Sequence, residues 1–106
     1  MRSDFVRGIV YGKTFKRAEI QLQKIIDDYK KIGIEPQSIY NIKKTINNYS
    51  VEFPNGDYWI AVGASENCRG LACNIAYIDI DIEPLTIETI IKPTMKFRPF
   101  TAYNFY

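Results

Sequence analysis

Val51-Glu-Phe-Pro-Asn-Gly-Asp-Tyr-Trp-Ile-Ala-Val-Gly-Ala-Ser65 is followed by Glu66-Asn-Cys-Arg-Gly70 and then by Asn74-Ile-Ala-Tyr-Ile-Asp-Ile-Asp-Ile82. The first part reads as a β-hairpin, Tyr49–Phe53 and Tyr58–Val62, joined by Pro54-Asn55-Gly56-Asp57. Asn-Gly supplies the positive φ that a tight turn needs. Gly63 to Leu71 reads as a polar loop carrying Arg69-Gly70. Ala72 to Ile82 reads as a strand, almost wholly apolar from Ile75 to Ile78, as expected where both sheet faces are covered. It delivers Asp79 at the end of that apolar run. Hydrophobic strands with an acid at the C-terminal tip are how open α/β sheets present charge to a phosphate or a metal.

Upstream, Phe5 to Tyr11 is a short β-rich run closed by Gly12. Thr14 can cap a helix from Phe15 to Lys31, in which Ala18, Leu22, Ile25, Ile26 and Tyr29 form one apolar stripe. Lys16, Arg17, Lys24, Asp28 and Lys30 fall largely off the stripe. Gly33 is the expected residue just past the helix end, and Pro36 blocks a restart. Ile39 to Ile46 fits a helical stripe and also an alternating strand; the preferred reading is a short strand running into a turn at Asn47-Asn48. Downstream, Pro84 opens a helix over Leu85 to Ile91, which Pro93 should stop.

This order implies an α/β fold: a single small mixed sheet with one long and one short helix packed on it. The first strand and the Ala72–Ile82 strand are expected to be parallel neighbours. Residues 1–95 form this domain, and residues 96–106 form an aromatic tail. Phe97, Phe100, Tyr103 and Tyr106 recur at every third position, with Phe105 beside them, so they should cover the core or form an interface. An apolar strand with an open edge is an aggregation hazard. The tail is therefore expected to pack along or over that strand, in its own chain or exchanged within a symmetric dimer.

With 106 residues, 46% hydrophobic, the chain makes one domain with enough apolar mass for a core, which argues against disorder. Its net charge of +2 is too small to argue for nucleic acid by itself. The distribution says more: residues 1–50 carry ten basic and five acidic side chains, residues 51–106 four and seven. The first half is thus the candidate phosphate-facing surface. No apolar stretch approaches the ~20 residues of a membrane span, and Arg2, Asp4 and Arg7 interrupt any leader-like run. A cytoplasmic protein without a membrane partner is expected. Cys68 and Cys73, in a chain without histidine, are too few for a zinc site unless two chains share one, and read as reduced apolar residues.

Three features carry chemistry. Gly8-Ile-Val-Tyr-Gly12-Lys13-Thr14 mimics the end of a phosphate-binding loop, but its glycine spacing is one residue short and Ile9-Val10-Tyr11 belong to a strand. Asp79, Asp81 and Glu83 alternate with Ile78, Ile80 and Ile82. On a strand the acids would share one face, as a carboxylate row for Mg²⁺ or simply as a wet surface. Lys13, Lys16 and Arg17 cluster at a helix start, where the dipole already favours anions. Arg69 reads as a phosphate or DNA contact, or as a partner for Glu66 or Asp81.

The segment Tyr49–Met95 resembles the ATPase domain of the large terminase subunits of tailed bacteriophages, the motors that package DNA. The resemblance rests on Asn55-Gly56, Ala64-Ser65, Arg69-Gly70 and the Walker B-like run Ile75-Ala76-Tyr77-Ile78-Asp79. Ile9 to Lys31 is similar to that family's second strand and following helix. Two departures bear on function: the chain holds no Gly-x-x-x-x-Gly-Lys-Ser/Thr loop, and Ile80 stands where the family places its catalytic Glu, which orients the attacking water. The resemblance implies a non-hydrolysing phage protein related to a DNA-packaging ATPase, in the host cytoplasm, with no catalytic residue and no cofactor. It would bind DNA, through Lys13, Lys16, Arg17 and Arg69, or a protein partner, and homodimers are allowed. The alternatives are a Mg²⁺-dependent nuclease or nucleotide hydrolase using Asp79, Asp81 and Glu83, with Asp79 and Asp81 as metal ligands, and a structural or inhibitory oligomer.

Overall fold

A computed structural model describes residues 6–33, 42–45, 48–53, 56–64, 72–94 and 102–106. Its elements are β1 (Arg7–Gly12), α1 (Phe15–Lys31), β2 (Ile42–Thr45), β3 (Asn48–Glu52), β4 (Tyr58–Gly63), β5 (Ile75–Ile78), α2 (Pro84–Thr86) and β6 (Ala102–Phe105). They build one mixed sheet in the order β2-β3-β4-β1-β5-β6. β4, β1, β5 and β6 run parallel, while β2 and β3 are antiparallel additions. The expected α/β fold and the parallel pairing of the first strand with the apolar strand are both present.

α1 matches its sequence expectation at both ends. The Thr14 hydroxyl accepts from the Arg17 N–H at 3.3 Å, satisfying one of the amides that a helix start leaves without an internal partner. Gly33, at φ +87°, closes the other end, where a side chain would be strained. The stripe Ala18, Leu22, Ile25 and Ile26 is buried against Val10, Tyr49, Val51, Phe53, Trp59 and Ala61. The opposite sheet face packs Ile9, Tyr11, Ala76 and Ile78 against Ile82, Ile90 and Ile91. Neighbouring residues of β1 thus feed two separate cores, as the period of two requires. This is why Ile9, Val10 and Tyr11, in consecutive positions of the central strand, are all apolar.

The hairpin also forms, with Phe53 N–H to Asp57 O and Gly56 N–H to Phe53 O both at 2.9 Å, and Gly56 at φ +100°. Two expectations need correction. The apolar strand is shorter than Ala72–Ile82: it spans Ile75–Ile78, the Asp79 and Ile80 amides still reach Tyr11 O and Tyr106 O at 2.9 Å, and the chain then turns, with Ile82 N–H donating to Asp79 O at 3.0 Å. Asp79, Asp81 and Glu83 are therefore not three teeth of one strand face. Nor does Pro93 stop the second helix. α2 continues into a wide π-helical turn (Ile87–Ile91) and a 3-10 turn (Lys92–Thr94) that contains Pro93. The wide turn moves away the carbonyl that a proline ring strikes in an α-helix.

The C-terminal residues supply the last strand: β6 pairs in parallel with β5, setting Ile75 against Ala102 and Ile78 against Phe105. Phe97 and Phe100 lie outside the described residues.

Gly12 has a packing role that decides the β1–α1 corner. A Cβ there would stand 2.3 Å from the Thr14 carbonyl oxygen and 2.5 Å from the Ala18 nitrogen, both backbone atoms. At Gly33 a Cβ would meet nothing within 4 Å. Gly12→Ala should therefore cost about 3 kcal/mol, lowering Tm by roughly 10 °C or more. Gly33→Ala should cost only about 1 kcal/mol, from backbone strain alone. Thermal melts followed by circular dichroism measure both, and equal shifts would contradict the close-approach explanation.

Candidate functional site at the carboxyl ends of the parallel strands

β1 leads through α1 to the β3–β4 side of the sheet, whereas β5 leads through α2 to β6 on the other side. The crevice between the carboxyl ends of β1 and β5 is thus a topological switch point, the place where open α/β sheets receive ligands. Lys13, Thr14, Arg17, Asp79 and Asp81 converge there.

Asp79 has no exposed surface. Its Oδ2 accepts from the backbone N–H of Lys13 at 2.9 Å and lies 2.7 Å from Nε of Arg17. Its Oδ1 accepts from the N–H of Asp81 at 3.0 Å. Arg17 Nη1 reaches Asp81 Oδ2 at 2.8 Å, so one guanidinium spans both carboxylates. Lys13 Nζ extends toward the Asp81 carbonyl at 3.4 Å. Asp79 is the expected acid at the strand tip, but it faces inward to its own chain. A buried charge is tolerated only when paired and hydrogen-bonded, and here both oxygens are engaged.

The phenol of Tyr106 closes one flank, donating to the Tyr11 carbonyl at 2.9 Å. Burial raises its pKa above the usual tyrosine range; the nearby Asp79 charge adds to the rise and Arg17 opposes it. Between α1 and β6 lies an open groove of about 390 Å³, lined by Arg17, Ile20, Gln21, Lys24 and Tyr106. Lys16 lies exposed on the same helix.

Of the residues expected to form sites, Lys13, Arg17, Asp79 and Asp81 come together. Glu83 precedes α2 and is exposed. Ile80, at the position of the resembled family's catalytic Glu, is 67% exposed. Asp81 pairs with Arg17. Arg69, Glu66 and Cys68 lie outside the described residues. Cys73 is buried and unpaired, with its thiol pKa pushed up by burial, an unreactive state. Among the described residues, no group of three or more Asp, Glu, Cys or His side chains is placed to hold a metal ion. A Mg²⁺ shared by Asp79 and Asp81 would have to displace the guanidinium, so the present donor set does not fit one.

A second buried carboxylate escaped sequence reasoning. Asp57, in the hairpin, accepts from the Val6 N–H at 3.0 Å and from the Tyr29 hydroxyl at 2.7 Å. Trp59 Nε1 donates to the same hydroxyl at 3.1 Å, and the Tyr29 ring stacks on Phe53 at 3.9 Å between centroids. These contacts pin the far end of α1 to the start of β1. The only sequence signal was an acid following Asn-Gly, which reads as ordinary turn chemistry.

The fold is shared with a solved phage protein. The structure of the large terminase from a thermophilic bacteriophage, in complex with ADP, superposes on 95% of this chain at a TM-score of 0.64, with 11% sequence identity. The chain spans 25% of that protein's length. No protein-family model and no curated protein matches the sequence. The terminase-like fold is therefore shown by structure alone. Among the described residues, no helix is long and apolar enough to cross a membrane.

If Asp79 is the clamp of this corner, Asp79→Ala leaves two backbone amides without their acceptor and should cost about 2–3 kcal/mol. Asp81→Ala removes only an exposed ion pair and should stay within about 0.5 kcal/mol. Urea unfolding of the two variants compares them; an Asp81 effect as large as that of Asp79 would refute the assignment.

Proposed function

We propose that this chain is a non-hydrolysing relative of the phage DNA-packaging ATPases and that it acts by binding, with duplex DNA as ligand on the basic face of α1. The observation carrying this reading is the position of the Asp79 carboxylate. It takes the backbone amide ahead of α1 and the first-turn guanidinium, the groups with which α/β folds commonly hold a phosphate. The chain's own acid thereby occupies the anion position. Gly12, which gave the Gly-Lys-Thr run its phosphate-loop look, is explained by close packing of α1 on β1. The missing glycine-rich loop and the Ile80 substitution point the same way. Near this corner Lys16 and Lys24 remain exposed on α1, beside Lys13 and Arg17, which both reach Asp81.

A second reading, a protein partner, is favoured by one observation: the large apolar side chains Ile80, Leu85, Tyr103 and Phe105 are exposed among the described residues.

Two experiments test the main reading. Calorimetry with ATP should give no affinity tighter than millimolar, and a micromolar Kd abolished by Lys13→Ala would overturn it. Duplex DNA should bind with log K falling by about 0.9 per phosphate contact for each tenfold rise in salt. Lys16→Glu/Lys24→Glu, which spares the Asp79 contacts, should weaken binding at least about tenfold at low salt, the effect of losing ~1.4 kcal/mol. Binding indifferent to salt and to both charges would remove DNA as the ligand.

A further inference from the structure

β6 ends the sheet, and its orientation decides which backbone groups remain outside. The Tyr106 N–H donates to Ile78 O at 3.0 Å, and its carbonyl accepts from the Ile80 N–H at 2.9 Å. In a parallel ladder alternate residues face the same neighbour. Tyr103 and Phe105 therefore turn their N–H and C=O groups away from β5, to the outer edge. Among the described residues no strand pairs with that edge. Soluble proteins usually protect such an edge with Lys, Pro or a bulge, and Ala102-Tyr103-Asn104-Phe105 contains no charge and no proline.

The side chains of the same two residues are 45% and 54% exposed and meet edge-to-face, with centroids 5.7 Å apart. They border an apolar groove of about 380 Å³ shared with Ile80, Ile82 and Ile87. The charged residues lining it, Glu88 and Lys92, pair with each other at 2.8 Å.

We propose that β6 is a self-association strand, on which a second copy of this chain pairs antiparallel across a two-fold axis normal to the sheet. In the register centred on Asn104, Tyr103 lies opposite Phe105 of the partner subunit, and Phe105 opposite the partner subunit's Tyr103. Both outward residues then form hydrogen-bonded pairs, and the aromatic rings fall on one face as cross-strand neighbours, a favourable pairing. The chemistry selects a second copy over other occupants because the edge is complementary to itself. Ala102–Phe105 is uncharged and its two outward residues are both aromatic; among the described residues, the charged side chains lining the adjacent groove, Glu88 and Lys92, pair with each other, so they bring no unpaired like charge to two identical surfaces. The inference does not depend on DNA binding.

Light scattering of the full chain at high micromolar concentration should give twice the chain mass. Tyr103→Lys/Phe105→Lys places like charges opposite one another and should halve the mass. Tyr103→Lys/Phe105→Glu places Lys opposite Glu in this register and should restore the dimer, dissociating as salt rises. Hydrogen exchange on the unmodified chain tests the same point without a variant: the Tyr103 and Phe105 amides should be protected at high concentration and lose protection on dilution. A chain mass equal to one copy, amides that exchange freely at every concentration, or a folded Lys/Glu variant that stays monomeric would each overturn the proposal.

Discussion

One buried carboxylate organises the functional end of this molecule. Asp79 stands at the tip of β5 and is held by the β1–α1 corner through Lys13, by α1 through Arg17, and by its own turn through Asp81. Desolvating a charge is expensive unless each oxygen is satisfied, so the corner is specified as a unit. Sliding β5 along β1, tilting α1 or lengthening the two-residue Lys13-Thr14 link would strand the charge. The electrostatics that fix the geometry also fill the crevice, because the cations drawn to the switch point already face an anion. Fold and functional reading therefore depend on the same contact.

A second polar clamp stands at the other end of the parallel strands. Asp57 joins the hairpin to the start of β1 and, through Tyr29 and Trp59, to the last turns of α1. Between the two clamps the contacts are mainly apolar, with one polar tie where the Tyr49 hydroxyl donates to Gln23 Oε1 at 2.9 Å. Gly8 belongs to this arrangement, since a Cβ there would stand 2.2 Å from the Trp59 ring. The hydrophobic layers supply cohesion without direction, while the two carboxylates set the register of helix on sheet. On the opposite face the Tyr11 hydroxyl meets Thr94 at 2.8 Å, giving the second core a polar tie of its own.

What is legible in the sequence is local. Thr14, the 15–31 stripe and Gly33 define α1 because capping, periodicity and termination all lie within one segment. Asn55-Gly56 announces the hairpin for the same reason. The Asp79 turn passes for strand because Ile78 to Glu83 alternates as a strand would; the contacts that hold Asp79 in the turn include Arg17 and the Lys13 amide, distant in sequence. Arg17 looks like a ligand contact because its partners follow it by more than 60 residues. Asp57 is invisible as a clamp, since nothing near it in the chain names Val6 or Tyr29. The neighbours of Lys13 and Arg17, and hence their freedom to meet a ligand, are set by tertiary contacts that no local pattern encodes.

The strand order carries a consequence for how the chain is made. β1 sits between β4 and β5, and the contacts that fix it span 51 residues, from Val6 to Asp57, and 66 residues, from Lys13 to Asp79. At a synthesis rate of roughly 5–20 residues per second, the central strand waits several seconds for its neighbours to be translated. In that interval the stripe of α1 has no sheet to lie on, and Ile9, Val10 and Tyr11 have no strand beside them. The α1 helix and the hairpin can flicker into being locally, but closing the sheet is a single late event that joins distant segments, the kind of topology that folds slowly for its size. The segment from β1 through α1 thus keeps its apolar surface uncovered until the later strands have been made.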